Sequence, residues 1–481
     1  MTLLDSKNMK TCEYKLPEWV KDAIFYEIFP ERFANGDQSN DPLDKEVWGN
    51  IPSRTNFFGG DLQGIIDHLD YLQDLGITGL YLTPIFKAKT NHKYDTCDYM
   101  SVDPAFGDTE LLKKLVSKAH RCGIKIILDA VFNHTGDSFW AFEDVKKNGS
   151  SSRYASWFFV DETPLSHDPP NYQTCGGVGY LPKINITNPE VQDYLLRVAS
   201  YWIETCDIDG WRLDVPWKVS MQFWKLFRER IKSIKPDAYI VGEIWRNPSP
   251  WLQGDTCDGI MNYPLRNLIL DYCLFDFMDA EDFDYEINLL RQAHGSSANI
   301  QLNLLGSHDT PRLLTLCKDD IARVILAVTF LFTYVGAPMI YYGDEIGLRG
   351  GNDPDCRKCM SWEATDWEHG LVNIYRNLIR ARHKHPALRR GDFLPLLIFN
   401  GVYAYLRRFD DDEVIVILNP REERHQIKIP LCNLDIKGKL WHNLLGEGTF
   451  KVREAHLQIE TLLSKSALIL IPHSEKLDTE A

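Results

Sequence analysis

No apolar run in the 481-residue chain approaches the ~20 residues needed to span a bilayer. The first residues, Met1 to Lys21, also lack the apolar core of a secretory leader. A membrane protein is therefore not expected, and residence in the cytoplasm is. Positive charge is in deficit: 53 Lys and Arg stand against 68 Asp and Glu, a formal −15. A polyanion such as nucleic acid would be repelled and is not an expected partner. Cysteine lacks any framework. Its 11 copies are odd in number and irregular in spacing, which sets up no disulfide scaffold and fits reduced thiols. Cys356-Arg-Lys-Cys359 is a lone CxxC with no second pair near it. Two free thiols in a loop are expected there, rather than a metal or redox centre. Internal repeats and low-complexity tracts are missing too.

What is present is the balance of an ordinary globular protein, 44% hydrophobic and 25% charged. The length accommodates a large barrel and one or two smaller modules. Aromatics make up 12%. Most must be core, where large rings bury the most area, but the excess suits a sugar ligand, whose flat C–H faces stack on rings. Short apolar segments recur between longer helical patterns, at Ala23–Pro30, Gly79–Ile85, Lys125–Phe132, Gly210–Val215, Tyr239–Trp245, Gly259–Leu265, Asn303–His308 and Met339–Gly347. Several are nearly continuous apolar runs (KIILDAVF, YIVGEIW), as strands buried on both faces should be. Between them, LQGIIDHLDYLQDLG and TELLKKLVSKAHRCG carry amphipathic periodicity with Gly76 and Gly123 as stops. Strands alternating with helices in this way predict an α/β fold, a (β/α)₈ TIM barrel.

The expected organisation is an N-terminal extension at 1–20 and a barrel at 21–134 and 181–390. A Gly-, Ser-, Asn- and aromatic-rich excursion after strand three, at 135–180, forms an inserted domain. From 391 to 475, alternating runs (VYAYLRRF, EVIVILN, HQIKIP, ALILIP) predict an antiparallel β-sandwich, followed by a tail at 476–481.

In a TIM barrel the C-terminal ends of the strands form the active-site face. Polar residues gather there: Asp129, Asn133 and His134 after strand three, Arg212 and Asp214 on strand four, Glu243 on strand five, His308 and Asp309 after strand seven, Asp344 and Glu345 after strand eight. A structural ion-pair network accounts for one pair but not for so many carboxylates, which repel one another and raise a pKa. Glycoside hydrolysis needs such a set: one carboxylic acid to protonate the leaving oxygen and one carboxylate to attack or to activate water. Spacing alone does not divide those tasks.

DAVFNH (129–134), GWRLDV (210–215), GEIW (242–245) and LLGSHDT (304–310) resemble, in order, the signature regions of the α-amylase superfamily of glycoside hydrolases. LPKIN (181–185) is similar to a fifth region in its neopullulanase, cyclomaltodextrinase and maltogenic amylase form, and GDEIG (343–347) resembles the region at strand eight. The resemblance implies Asp214 as nucleophile, Glu243 as proton donor and then base, and Asp309 as a hydrogen-bond partner of the sugar 2- and 3-hydroxyls. It implies that Arg212 aims Asp214, and that His134 and His308 donate to the same sugar. NHKYDTCDY (91–99) resembles the segment whose Tyr stacks under the sugar, making Tyr94 a platform, His92 a donor and Asp98 a supporting contact. Arg312, after the strand-seven motif, joins the expected substrate contacts.

RFANGDQSNDP (32–42) and FFGGD (57–61) resemble a calcium loop of the neopullulanase branch, and Asn- and Asp-rich loops supply the hard oxygens that Ca²⁺ takes. The implied ligands are Asn35, Asp37, Asn40, Asp41, Gly59 and Asp61. Two departures stand out. VPWK (215–218) replaces the Val-Ala-Asn-Glu usual in this branch, which puts Trp217 and Lys218 on the leaving-group side of the substrate. The barrel also begins without the branch's usual N-terminal β module, which leaves the oligomeric state open. The expected activity is retaining hydrolysis of α-1,4 bonds in α-glucan oligosaccharides or polysaccharides. The alternatives are transglycosylation or cyclisation on the same fold and, more remotely, a non-catalytic interaction subunit.

Overall fold

All eight segments expected as buried strands contain strands, six of them trimmed at their ends and the last two begun one and two residues earlier than expected, and they close a parallel barrel. They are β1 (Phe25–Ile28), β2 (Gly79–Leu82), β3 (Lys125–Ala130), β4 (Gly210–Leu213), β5 (Tyr239–Ile244), β6 (Gly259–Asn262), β7 (Leu302–Leu304) and β8 (Ala337–Tyr341). Each pairs with its sequence neighbours, and β8 closes onto β1 through Phe25 opposite Met339. The computed structural model describes residues 15–473 except 163, 433 and 437. The tail at 476–481 and most of the N-terminal extension lie outside the described residues.

Period-two alternation explains the position of the site. The interior cluster takes Phe25, Tyr81, Ile127, Tyr239, Val241, Leu302, Leu304 and Met339. Two residues further along the same strand faces come Glu27, Asp129 and Glu243, at the C-terminal mouth. An apolar residue low in the barrel thus forces a charged residue two positions on to sit inside at the top. Register does the rest. Asp129 lies opposite Arg212, and Leu213 opposite Gly242, which brings Asp214 level with Glu243.

The helical pattern at 62–76 is broken in two, Leu62–Asp67 and Leu69–Leu75. The break falls at His68, whose ring packs on Trp362 with centroids 3.6 Å apart. Gly76 ends the second helix at φ 93°, as its left-handed stop position requires. A hairpin of Phe86–Ala88 and Thr96–Val102 went unforeseen, because TCDYMSV carries no apolar run. The excursion holds helix Trp140–Asn148 and isolated bridges, among them His134 to Lys183 and Phe158 to Ile184, which tie it back to the barrel.

The C-terminal strands are β9 (Asp392–Phe399), β10 (Val402–Phe409), β11 (Asp412–Asn419), β12 (His425–Pro430), β13 (Leu440–Asn443), β14 (Thr449–Arg453), β15 (His456–Leu462) and β16 (Ser466–Pro472). They form one antiparallel sheet in the order β9-β10-β11-β16-β13-β14-β15-β12. The expected sandwich is thus a single sheet whose two ends share one core, with Val402, Ala404 and Leu406 clustered with Ile427 and Ile429. The alternate residues Tyr403 and Tyr405 belong to the barrel's core cluster instead. Among the described residues, no helix is long and apolar enough to cross a membrane.

Candidate active site

Arg212 is fully buried, and three carboxylates meet its guanidinium. Nη1 donates to Asp129 Oδ1 at 2.9 Å and to Asp214 Oδ1 at 2.7 Å, and Nη2 lies 2.9 Å from Glu243 Oε2. Glu243 is further fixed by Trp245 Nε1, which donates to Oε1 at 2.6 Å, and by the Val215 backbone N–H, 3.0 Å from Oε2. Val215 sits at φ 35°, a strained turn that aims its N–H back at Glu243. The Trp245 indole is held by stacking on Tyr263 with centroids 3.6 Å apart.

One guanidinium cannot neutralise three carboxylates. Burial above all, then the like charges of Glu243 and Asp129, push the Asp214 carboxyl well above the usual range, against the pull of Arg212. The Asp214 carboxyl therefore holds a proton to higher pH than an isolated carboxyl would. Such a set can supply an acid and a nucleophile at one pH.

A cavity of about 350 Å³ opens over these groups, lined by Asp214, Glu243, Asp309, His92, Tyr94 and His134, among others. Tyr94 donates to Asp129 Oδ2 at 3.0 Å and lies 2.6 Å from His308 Nε2. Its loop is pinned by Asp95, which accepts from the Lys89 and Thr90 backbone N–H groups. His92 accepts the Tyr94 backbone N–H at Nδ1, so its proton sits on Nε2. Burial, then the Arg357 charge, hold this ring neutral, with its pKa down at about 3. Burial lowers His134 to about 4, and its Nε2 has no hydrogen-bond partner, as befits a group kept for a ligand. At Asp309 burial works to raise the pKa, but His308 and Arg357 outweigh it and hold the carboxyl below its usual range. Arg357 Nη2 is 3.2 Å from Asp309 Oδ1.

Two expected contacts lie elsewhere. Asp98 turns back on its own hairpin, accepting from Met100 N at 2.9 Å and Ser101 Oγ at 2.9 Å. It is not among the residues that line the cavity. Arg312 is fully buried beneath the site, bonded to Asp344 Oδ1 at 2.9 Å and to the carbonyls of Tyr342 and Cys356. It braces the loop after β8 and does not line the cavity. Trp217 and Lys218 are exposed. Trp217 lines a neighbouring cavity of about 460 Å³ with Trp245, Arg246, Asn247 and Trp251. Cys356 and Cys359 are both buried, and burial raises their thiols to about 12 and about 11, the mark of inert thiols.

Sequence reading passed over Glu27, Arg54, Tyr180, Leu181, Asp353 and Arg357 as site residues. Tyr180 and Leu181 come from the end of the excursion, which thereby walls the cavity. Arg357 lies between the two cysteines, where attention to thiols hid a cation.

The loop expected to hold calcium fits that ion in part. Asn35 Oδ1 and Asn40 Oδ1 are buried without hydrogen-bond partners, as ligand oxygens would be. Asn35 Nδ2 donates to Asp41 Oδ1 at 2.6 Å, and both side chains crowd Gly59 so closely that a Cβ would not fit. Asp61 accepts from the backbone of Gly36, Asp37 and Gly64 and from Asn40 Nδ2. The Asp37 side chain departs from the expectation, turning outward to accept from Ser39.

The barrel, the excursion and the Arg-centred carboxylates define the class, a (β/α)₈-barrel glycoside hydrolase. Residues 27–391 match the alpha-amylase catalytic domain, and the chain belongs to the alpha-amylase family. Enzymes of this family hydrolyse α-glucans with retention at the anomeric carbon. The chain is 50% identical over 437 residues to a cyclomaltodextrinase of Geobacillus thermopakistaniensis (strain MAS1), covering 90% of this chain and 74% of that one. It is 46% identical over 464 residues to neopullulanase 2 of Thermoactinomyces vulgaris, covering 95% and 79%. A cyclic alpha-maltosyl-(1→6)-maltose hydrolase from Arthrobacter globiformis, solved with that cyclic sugar, matches the fold at a TM-score of 0.87. Its sequence is 43% identical, over 95% of this chain and 99% of that one.

Proposed function

We propose that the enzyme opens α-1,4 bonds of short or cyclic maltodextrins and of pullulan, with Asp214 as nucleophile and Glu243 as acid and base. The observation that carries this reading is the convergence of both carboxyls on one Arg212 guanidinium at the mouth of the barrel. Glu243 gives its proton to the glycosidic oxygen as Asp214 bonds to C1 and the C1–O bond breaks. Water then attacks C1 from the vacated side, Glu243 takes its proton, and the Asp214 carboxylate leaves. Arg212 stays paired with Asp214 throughout. Asp309, His308, His134 and His92 line the surroundings of the same sugar, with Tyr94 beneath it.

Trp217, beside Trp245 and Trp251, is the platform for the leaving-group side. An aromatic wall next to the acid also suits an acceptor sugar, which favours transglycosylation as a second outcome at high sugar concentration. The calcium loop supports a structural Ca²⁺ held by Asn35, Asn40, Asp41, Asp61 and the Gly59 carbonyl, where the ion would tie the loop after β1 to the barrel. A cytoplasmic location agrees with a relative named intracellular maltogenic amylase in Bacillus subtilis.

The test is a product profile on β-cyclodextrin, pullulan, soluble starch, maltotriose and cyclic maltosyl-maltose, with Glu243→Gln as the blank. Ring opening or panose release that disappears in the blank is the expected result. Activity that survives in the blank would overturn the assignment.

A further inference from the structure

Glu27 stands on β1 with no solvent exposure, its side chain inside the barrel. Its Oε1 accepts from the His308 backbone N–H at 3.2 Å and is hydrogen-bonded to the ring Nδ1, while Oε2 has no hydrogen-bond partner. A carboxylate buried with a bare oxygen is costly unless a counter-charge adjoins it. Among the described residues, the group that pairs with it is the His308 ring. On the ring's far side, Nε2 meets the Tyr94 hydroxyl at 2.6 Å and Asp309 Oδ2 at 3.2 Å.

Proton accounting follows from these partners. Glu27 and Asp309 are acceptors, so the ring needs an N–H on each side to satisfy both. Tyr94 then accepts from Nε2–H and keeps its own proton for Asp129 Oδ2, 3.0 Å away. Asp129 in turn receives Tyr81 at 2.7 Å and Arg212 at 2.9 Å. A continuous chain runs from Glu27 through His308, Tyr94 and Asp129 to the guanidinium that holds Asp214.

We propose that Glu27 is a positioning residue that keeps His308 doubly protonated through neutral pH, so that Nε2–H remains a donor toward Tyr94, Asp309 and the bound sugar. The activity part of this inference rests on the hydrolase reading above. The groups facing the ring are Glu27 from β1, Asp309 from its own loop and Tyr94 from the loop after β2. Arg357, from the loop after β8, donates through Nε to the His308 carbonyl at 2.8 Å. Burial and Arg357 oppose the imidazolium. Asp309 and Glu27 outweigh them and raise the ring above its ordinary value.

Glu27→Gln tests this, because the amide keeps an acceptor for Nδ1–H but removes the charge. The alkaline limb of kcat/KM should move down by about 1–2 pH units relative to the acid limb. In the wild type, ¹⁵N spectra of histidine-labelled enzyme, assigned with His308→Asn, should show an imidazolium at pH 7. In Glu27→Gln the same ring should titrate below that. An unmoved alkaline limb, or a uniform loss at every pH, would overturn the proposal by leaving Glu27 a packing role. So would a neutral His308 in the wild type at pH 7. The spectra need no substrate, so they separate failure of this proposal from a wrong substrate, and the wild-type titration decides even if the variant does not fold.

Discussion

Asp209 and Asp214 bracket the same strand, β4, and their surroundings are opposite. Below the strand, Asp209 is surrounded by two cations and two further donors: Lys125 Nζ at 3.0 Å and Lys235 Nζ at 2.9 Å, with His120 Nε2 at 2.7 Å and the Ile126 N–H besides. Burial opposes ionisation there, but His120 and Lys235 hold the carboxyl far below its usual range. Above the strand, Asp214 shares a single Arg212 with two other carboxylates and is pushed upward. Asp258, just before β6, repeats the lower pattern with Arg228 and Lys232. The two faces of the barrel thus use one residue type for different ends. Charge is balanced where the fold is held, and left unbalanced where a proton must move.

The comparison fails most visibly if Asp214→Asn keeps its activity. Assayed on β-cyclodextrin, kcat should fall by about 10⁴-fold or more. Thermal unfolding should tell the reverse story. A carboxyl whose folded pKa is raised contributes stability at low pH and loses it as pH rises through the folded value. Neutral Asn avoids that loss, so the Tm at pH 7 should hold or rise.

Asp209→Asn should do the opposite: cost about 3 kcal/mol of stability by denaturant titration while kcat/KM stays within a few-fold. A depressed folded pKa gives stability above the unfolded value that is lost as pH falls through the folded one. The gap to wild type should therefore narrow below about pH 3.9.

Arg357→Ala sharpens the picture of the upper face. It removes the cation on Asp309, and kcat/KM should drop about 10- to 100-fold, the scale of a lost charged hydrogen bond. Arg312→Ala, one layer beneath, should instead lower the Tm. Trp217→Ala should raise KM about five-fold on maltodextrins, by the scale of one lost ring contact, and leave maltotriose hydrolysis less affected. The smallest effect expected is from chelation. EDTA should lower the Tm by a few degrees, roughly a 1 kcal/mol effect, and Asn40→Ala should remove that sensitivity. An EDTA-insensitive wild type would end the calcium proposal.

The barrel was legible because buried parallel strands write themselves as continuous apolar runs, and KIILDAVF or YIVGEIW offers little else to become. The acids were legible because charge at the end of such a run has no packing explanation. Asp98 and Arg312 were misjudged for one reason, proximity in sequence to a motif. A side chain's direction depends on the hairpin or loop that carries it, and neither the turn at Met100 nor the loop after β8 is written in local periodicity. Glu27 and Arg357 were passed over because their partners lie 281 and 48 residues away.

The order of strands, the type of each residue at the mouth and the surplus of carboxylates are properties of the chain itself. Alternation and composition dictate them before any long-range contact forms. Only the closed barrel decided which carboxyls share Arg212, which face cations, and that a β1 glutamate would abut a histidine from the loop after β7. Those are distances between strand ends, and closure of the barrel is what makes them short enough for charge to matter.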